Sequence, residues 1–294
     1  MSSGIGVVVT SFRQARWVRQ AVASVRAQTL VPDELVVVDD GSDDDESLAV
    51  LDELDRAGVR VLRQENRGVS AARNAGIRAL SQPLVAVLDG DDRWAPTFLA
   101  RTHAVLAERP EVVAASSWLL LHGVADGVVR PPGGTAVDFL HRNACPATAL
   151  LRRERWAAAG GYDEQMRSGF EDWDLFLAML SQGGRIEVVP DALVEYRTAP
   201  ASANVRSMER RLELVGHVVG KHRALFERHV LEAVLGLEAT SIARLDAWER
   251  LLVADARLPV GEPTYGDGGM AAAVRIASCR TPAGHAPDDG PHLP

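Results

Sequence analysis

Cysteine and basic residues are both scarce in this chain. Only two cysteines occur in 294 residues, and Cys145 and Cys279 are too far apart to form a CxxC metal site. A disulfide scaffold is not expected from so few. The 32 Lys and Arg residues are outnumbered by 40 Asp and Glu, which gives a net charge of −8. Proteins that bind nucleic acid through its phosphates carry a basic surplus, so we expect no nucleic-acid partner.

The chain also lacks a long apolar run. The longest nearly apolar stretch, 112–121, is much shorter than the ~20 residues of a membrane-spanning helix. The first residues lack the basic and apolar segments of a signal peptide. These absences predict a soluble, cytoplasmic protein. Arginine-bearing helices predicted near 206–228 leave open a peripheral contact with the inner face of a membrane.

Two common nucleotide-binding loops are missing as well. No GxGxxG follows the first predicted strand, and no GxxxxGK[ST] occurs in the chain. Neither a dinucleotide-binding enzyme nor a P-loop enzyme is therefore indicated. The acidic clusters described below do not have the ligand spacing of an EF-hand loop, which excludes that calcium site too.

The first part of the chain alternates short apolar runs with amphipathic segments. The runs are rich in β-branched residues, and the amphipathic segments repeat their apolar residues at helical spacing. Such alternation predicts an α/β fold with a mostly parallel sheet covered by helices on both faces. Strands are predicted at 6–10, 35–38, 59–62 and 84–88, and helices at 17–28, 47–57 and 70–80.

The rest of the chain is less regular. We expect a sheet domain over 1–205, a helical region over 206–258 and a disordered tail over 259–294, because that tail is rich in Gly, Pro and Ala. Within the second half, helices are predicted at 96–108, 153–159 and 172–182, strands at 112–121, 147–152 and 185–189, and a loop or hairpin at 123–134.

Acidic residues follow two of the predicted strands. Ligands of α/β sheets bind beyond the carboxyl ends of the strands, and Asp89 and Asp91 stand at that position. Carboxylate oxygens suit Mg²⁺ or Mn²⁺, which keep coordination positions for phosphate oxygens. Asp40 follows the preceding apolar run and is interpreted as a ligand for a nucleobase or ribose. The alternative for both clusters is an acidic turn that caps the following helix.

Six segments, taken in order, resemble the family 2 glycosyltransferases of the GT-A fold. The resemblance covers residues 5–200, and no single motif carries it alone. The segments are Val7-Val8-Val9-Thr10-Ser11-Phe12, Val37-Val38-Asp39-Asp40-Gly41-Ser42, the run from Glu65 to Gly76, Val87-Leu88-Asp89-Gly90-Asp91-Asp92, Gly160-Gly161-Tyr162-Asp163-Glu164 and Gly169-Phe170-Glu171-Asp172-Trp173-Asp174-Leu175.

The resemblance implies a GT-A sheet domain with a C-terminal helical extension, which transfers a sugar from a nucleoside diphosphate to an acceptor hydroxyl with inversion. A UDP or dTDP sugar is the expected donor. By this likeness, the nucleotide and donor contacts are Thr10, Ser11, Phe12, Asp40, Gly68, Arg73, Asp89 and Gly90. Asp89 and Asp91 correspond to the DxD motif that holds Mn²⁺ or Mg²⁺. The alternative for Arg73 is an ion pair on a helix surface.

Asp172 corresponds to the general base of the family's ED motif. An inverting transfer needs a carboxylate within hydrogen-bond reach of the acceptor hydroxyl, on the face opposite the leaving diphosphate. The start of a helix would hold that carboxylate on a rigid element. The alternative for Asp172 is an N-terminal helix cap.

Two positions depart from the family pattern. Phe12 and Arg13 stand where many members have Tyr-Asn, and Thr198 stands where many have a His that ligates metal or contacts phosphate. Arg197 is the candidate to assist the diphosphate in place of that His. Two other classes stay open: a nucleotidyltransferase of similar fold, and a degenerate transferase-like module that binds without catalysis.

Overall fold

The computed structural model describes residues 3–200, 202–253 and 264–280. These residues contain one nine-stranded sheet. Its strands are β1 (Ile5–Ser11), β2 (Glu34–Asp39), β3 (Arg60–Arg63), β4 (Leu84–Asp89), β5 (Arg93–Trp94), β6 (Val112–Gly123), β7 (Gly127–Val129), β8 (Leu150–Arg152) and β9 (Arg185–Thr198). The strand order is β3-β2-β1-β4-β8-β6-β9-β5, and β7 forms a hairpin with β6.

Helices cover both faces of this sheet and form the C-terminal part. They are α1 (Ala15–Arg26), α2 (Asp45–Arg56), α3 (Val69–Ala79), α4 (Phe98–Glu108), α5 (Arg153–Ala158), α6 (Glu171–Leu180), α7 (Ala203–Glu209), α8 (Arg211–Lys221), α9 (Arg223–Arg228), α10 (Val230–Val253) and α11 (Gly269–Arg280). A 3-10 turn spans Ala136–Phe139. The predicted α/β architecture is confirmed.

The first half of the sheet is parallel because its strands are apolar on both faces. Every residue of β1 is buried, and burying a Val or Ile side chain contributes about 1.5–3 kcal/mol to stability. In the parallel register Thr10 pairs with Asp89, and Ser11 pairs with Asp39. Both acidic clusters therefore meet at the carboxyl end of β1, as their positions in the sequence predict.

The second half of the sheet mixes directions. β8 is antiparallel to both β4 and β6, whereas β9 runs parallel to β6. β9 is longer than predicted and continues to Thr198. The predicted strand covered only 185–189, and it is followed by Pro190, which has no N–H to donate to a strand ladder. The register shifts between Ser117 and Trp118, so Pro190 lies in a bulge and the strand resumes beyond it.

The expectation of a disordered tail is wrong for 264–280. Gly269–Arg280 forms α11, in which Ala271 and Val274 pack with Ala125 and Val205. Composition suggested disorder because the segment is rich in Gly and Ala, but small side chains also allow a helix to pack closely against its neighbours. The parts of the tail at 259–263 and 281–294 lie outside the described residues. The division into 1–205, 206–258 and 259–294 otherwise stays a prediction.

Within the described ranges, each helix is either too short or too polar to cross a membrane.

Candidate active site

A buried arginine joins the end of β4 to the start of α6. Arg73 on α3 is 2% exposed. Its Nη2 donates to both carboxylate oxygens of Asp89, at 2.8 and 3.0 Å, and its Nη1 donates to Glu171 Oε1 at 2.8 Å. Burial opposes the charge, but Asp89 and Glu171 hold the pKa of Arg73 well above its ordinary value. Arg73 is thus a buried cation shared by two acids rather than half of a surface ion pair.

Asp91 is held by a second arginine. Arg197 Nη2 donates to Asp91 Oδ2 at 2.7 Å, and Gln14 Nε2 donates to the other oxygen at 3.1 Å. Burial and the neighbouring Asp89 raise the pKa of Asp91, although Arg197 opposes this rise. The guanidinium of Arg197 also lies over the ring of Trp17, 4.9 Å from its centroid. Because β9 extends to Thr198, Arg197 reaches the end of β4.

Asp92 is almost fully buried, at 3% exposed. Its Oδ1 accepts the backbone N–H of Arg197 at 2.9 Å. Burial, together with the charges of Asp91 and Asp89, raises the pKa of Asp92 well above its ordinary value. Asp92 ties β4 to β9 and so supports the position of Asp91.

The carboxylates at the end of β4 fit a divalent cation. Within the described ranges, no group of three or more His, Cys, Asp or Glu side chains is arranged to hold a metal by itself. Mg²⁺ and Mn²⁺ need only one or two carboxylates when phosphate oxygens complete the shell. The raised pKa of Asp91 reflects burial and negative charge that Arg197 does not cancel. A cation bound to Asp91 and Asp89 would compensate this negative charge.

Asp40 lies at the end of β2 and binds the loop that leads into α3. Its Oδ1 accepts from Gln64 Nε2 at 2.7 Å and from the Arg67 N–H at 2.9 Å, and its Oδ2 accepts from the Gly68 N–H at 2.8 Å. The structure thus brings Asp40 and Gly68 together. These bonds fix the loop beside the nucleotide pocket that the family resemblance implies.

The residues at the end of β1 differ in their exposure. Thr10 donates to Asp89 Oδ1 at 3.1 Å, and Ser11 is buried with no partner for its hydroxyl. Phe12 is 40% exposed, and its ring contacts the guanidinium of Arg13. Gly90 packs against β1 so closely that a Cβ there would lie 2.6 Å from the Thr10 carbonyl oxygen. Only glycine allows this approach, which places Asp89 and Asp91 beside Thr10.

Asp172 occupies the first turn of α6. The turn begins at Phe170, whose φ of 68° is left-handed, a strained conformation for a non-glycine residue. Asn143 Nδ2 donates to Asp172 Oδ2 at 2.8 Å, and the Trp173 N–H donates to Oδ1 at 2.8 Å. Burial and the neighbouring charge of Glu171 raise the pKa of Asp172 to about 7. This value suits a base that works near neutral pH.

α6 is anchored on both sides of Asp172. Trp173 is buried, and its Nε1 donates to the Phe139 carbonyl at 2.7 Å. Asp174 is also buried and binds Lys221 Nζ at 2.7 Å and His222 Nε2 at 2.8 Å. These contacts hold the start of α6, and Asp172 with it, on a rigid support.

A cleft of about 530 Å³ opens in front of these residues. Arg73, Asp89 and Asp172 line it together, so the structure brings the predicted base to the same space as the end of β4. Asp91, Asp40, Gly68 and the end of β1 are not among the residues that line this cleft.

The C-terminal segment forms one wall of the cleft. Tyr265 Oη donates to the Cys145 carbonyl at 3.0 Å. Gly266 packs so tightly on Asn143 that a Cβ would lie 1.9 Å from the Asn143 carbonyl oxygen. Since Asn143 donates to Asp172, this segment backs the residue that holds the base.

Sequence analysis missed three residues of this site. Asn143 and Gln14 bind the key carboxylates, and Gly266 backs Asn143. None of them stands in a motif, and Asn143 reaches Asp172 across 29 positions of the chain. Asn143 directly follows His141 and Arg142 in a stretch without periodicity, so the local sequence gives no signal that points to it.

Comparison with known proteins finds a likeness over the first part of the chain. Residues 6–120 match the family model of glycosyl transferase family 2. This match begins in β1 and ends in β6, and it contains Asp40, Arg73, Asp89 and Asp91. The likeness favours a glycosyltransferase over the nucleotidyltransferase alternative.

Among curated proteins, this chain is similar to the succinoglycan biosynthesis protein ExoU of Rhizobium meliloti. The two are 29% identical over 202 residues, which cover 62% of this chain and 58% of ExoU. The chain therefore spans less than two thirds of that relative.

Two solved structures share the fold of this protein. One is S. aureus TarS, residues 1–349, in complex with UDP-GlcNAc, with a TM-score of 0.61 and 15% identity over 79% of this chain and 72% of that one. The other is the mannosyltransferase PcManGT of Pyrobaculum calidifontis in complex with GDP-Man and Mn²⁺, with a TM-score of 0.54 and 16% identity over 94% and 86% of the two chains. The fold is GT-A.

Proposed function

We propose that this protein transfers a sugar from a nucleoside diphosphate sugar to an acceptor hydroxyl with inversion, and that Asp172 is the general base. The observation that carries the proposal is a carboxylate whose pKa is raised to about 7, in the same cleft as Arg73 and Asp89. A base of this kind supports acceptor activation at neutral pH.

The proposed reaction is a single displacement at the anomeric carbon. Asp172 takes the proton of the acceptor hydroxyl while the acceptor oxygen forms a bond to the anomeric carbon. The bond between that carbon and the diphosphate oxygen breaks, and its electron pair leaves with the diphosphate. Asp172 and Asp89 line the same cleft from two different elements, α6 and β4, and the proposed inversion requires that they act on opposite faces of the sugar.

The donor is proposed to bind at the carboxyl ends of β1, β2 and β4. Thr10, Ser11 and Phe12 would line the nucleotide pocket, and Asp40 would hold the loop at Gly68 that borders it. The proposed donor is of the UDP or dTDP type. TarS in complex with UDP-GlcNAc supports the uridine nucleotide, whereas PcManGT binds GDP-Man on the same fold.

Asp91 and Asp89 are the proposed ligands for Mn²⁺ or Mg²⁺. When bound there, the cation would neutralise the diphosphate and stabilise its charge as it departs. Arg197 contacts Asp91 directly. We propose that this guanidinium assists the diphosphate where the family pattern often has a His at the position of Thr198.

A peripheral contact with a membrane stays part of the proposal. α10 exposes apolar side chains at helical spacing, including Leu231, Leu235 and Ile242, each at least half exposed. Such a face favours contact with another apolar surface. The cytoplasmic location predicted from the sequence would place this face at the inner leaflet.

A binding screen tests the donor and the metal together. The full chain is heated with UDP, dTDP, GDP or UDP-GlcNAc, each with Mn²⁺ or with a chelator. A ligand at 100 times its Kd stabilises the fold by about 2.7 kcal/mol, which a shift in melting temperature reports. We expect UDP or dTDP to stabilise the protein in Mn²⁺ and much less in chelator.

Asp91→Ala should lose most of the metal-dependent shift. The matched control is Asp55→Ala, an exposed Asp on α2, which should keep it. If no nucleotide stabilises the wild type, the donor proposal is wrong. If the shift is equal with Mn²⁺ and with chelator, the metal assignment is wrong.

A further inference from the structure

Arginines are concentrated on the cleft wall formed by α7 and α8. The residues of this short stretch that line the cleft include three arginines, Arg206, Arg210 and Arg211. One acidic residue of the stretch, Glu209, also lines it. Arg210 pairs with Glu213 and donates to Ser168 Oγ at 2.7 Å. The wall therefore presents a local positive surplus to the cleft of a protein whose net charge is negative.

Arg211 is the least compensated of these cations. It is half-buried, and its guanidinium donates to the Gly266 carbonyl at 3.0 Å. Its other contacts are the Met208 sulfur at 3.7 Å and the ring of Phe170, 5.5 Å from the guanidinium carbon to the centroid. No carboxylate in the described ranges forms an ion pair with Arg211, which distinguishes it from Arg73.

Burial makes this unpaired charge costly. It lowers the pKa of Arg211, and although Asp267 opposes that shift, Arg244 adds to it. A half-buried guanidinium is expected where a carboxylate or phosphate completes its hydrogen bonds. Because the described protein supplies no such partner, the structure favours an anion that comes from a ligand.

The position of Arg211 relates that anion to the acceptor. Arg211 lies against Phe170, the residue directly before Glu171 and Asp172. The donor's diphosphate is proposed to lie at the end of β4, where Arg73 and Arg197 already supply positive charge. An anion at Arg211 would therefore sit on the side of the base, where the acceptor hydroxyl must be.

We propose that the acceptor carries an anionic group, a phosphate or a carboxylate, which binds Arg211 with Arg206 and Arg210 on either side. This inference rests on the proposed function, because the acceptor side is defined by Asp172. The anionic group positions the acceptor so that its hydroxyl meets the base.

Isothermal titration calorimetry with simple anions tests the proposal. The full chain is first saturated with UDP and Mn²⁺, so that the donor's diphosphate position is filled. Methyl phosphate and glucuronate are then titrated as the phosphate and carboxylate probes, and glucose is the uncharged control. We expect one of the anions to bind and glucose not to bind.

Arg211→Gln should weaken that binding by about tenfold or more, because a hydrogen bond to a charged group contributes about 1.5–3 kcal/mol. Arg211→Lys keeps the charge and should retain most of the affinity. The control is Arg223→Gln, an exposed residue on α9 that pairs with Glu227 and does not line the cleft; its affinity should equal that of the wild type.

Three results would overturn the inference. The first is equal anion affinity in the wild type and Arg211→Gln, which would show that Arg211 only anchors Gly266. The second is that neither anion binds, and the third is that an anion binds only when UDP is absent, since it would then occupy the donor's diphosphate position. Failure of UDP itself to bind would instead count against the proposed function, so the two failures are distinguishable.

Discussion

Carboxylates in and beside the cleft lie in different surroundings. At the end of β4, Asp89 and Asp91 each bind a guanidinium, from Arg73 and Arg197. At the start of α6, Asp172 binds a neutral side-chain amide and one backbone N–H. The same residue type is thus paired with cations where a metal and a diphosphate are proposed to bind, and with neutral donors where a proton is to be taken.

This difference shows how the surroundings of a carboxylate determine the role that it can take. A guanidinium favours the ionised form of a carboxylate, whereas burial and neighbouring negative charge favour the neutral form. Burial and the charge of Glu171 raise the pKa of Asp172 to about 7, and Arg73 and the two hydrogen-bond donors only partly oppose this rise. Environments that push titratable groups apart in pKa are a general mark of acid–base sites.

The largest expected effect comes from removing the base. Asp172→Asn should lower sugar transfer by about a thousandfold, the usual range for loss of a general base, while UDP still binds. Transfer is measured by release of the nucleoside diphosphate from UDP-GlcNAc, and binding by thermal shift. Asp191→Asn, a change at an exposed residue that pairs with Arg101, is the control and should keep full activity.

Stability provides a second check on Asp172. Its pKa is raised from 3.8 to about 7 by folding, so its protonated form stabilises the fold. That contribution is complete at low pH and is lost as pH rises toward 7. The wild type should therefore lose stability relative to Asp172→Asn over this interval. Equal transfer rates in the wild type and Asp172→Asn would refute the base assignment, whereas no transfer in the wild type would favour the non-catalytic alternative.

The next largest expected effect comes from removing the buried cation Arg73. Arg73→Met removes the charge shared by Asp89 and Glu171, and breaking a buried ion pair by removing one partner costs about 3–5 kcal/mol. We expect the free energy of unfolding, measured by urea denaturation, to fall by about that amount. Adding Glu171→Gln should recover part of the loss because one unpaired charge disappears.

Arg19→Met is the matched control for Arg73→Met. Arg19 forms an exposed pair with Glu53, and such surface pairs contribute about 1 kcal/mol or less. If both variants lose the same small amount of unfolding free energy, Arg73 does not compensate the buried acids. The proposed difference between the surroundings of Asp89 and those of Asp172 would then be wrong.

The smallest expected effect is a shift in pH dependence. Asp172 acts in its ionised form, so transfer should rise as pH rises through about 7. Asn143 donates to that ionised form and lowers its pKa. Asn143→Ala should therefore move the acidic limb of the rate profile to higher pH, by about one unit for the loss of a hydrogen bond to a charged group.

A simple loss of structure at Asn143 would lower the rate at every pH and leave the midpoint unchanged. The midpoint of the profile, measured between pH 5 and pH 9, is thus the informative quantity. Asn204→Ala, another residue that lines the cleft, is the control and should leave the midpoint in place.

Much of the nucleotide side could be predicted from the sequence. Apolar runs and helical spacing placed β1, β2 and β4, and the acids that follow β2 and β4 came with them. Parallel strands end at the same edge of a sheet, so local patterns were enough to bring Asp40, Asp89 and Asp91 to one region.

The acceptor side was less predictable because its contacts are long-range. The sequence placed Asp172 at the start of a helix, yet Asn143, Arg211 and Gly266 come from three other parts of the chain. The composition of the tail suggested disorder for 264–280, where small residues instead pack as α11. Neither periodicity nor spacing reports which distant segments meet.

The sequence by itself determined the alternation of strands and helices in the first part of the chain, the resemblance to family 2 glycosyltransferases, and which carboxylates stand at the ends of elements. Only the tertiary structure decided which partner each carboxylate meets. Arg73 reaches Glu171 across 98 positions, and Arg197 reaches Asp91 across 106. A carboxylate's pKa depends on burial and on the charges around it, and both exist only after distant segments have packed together.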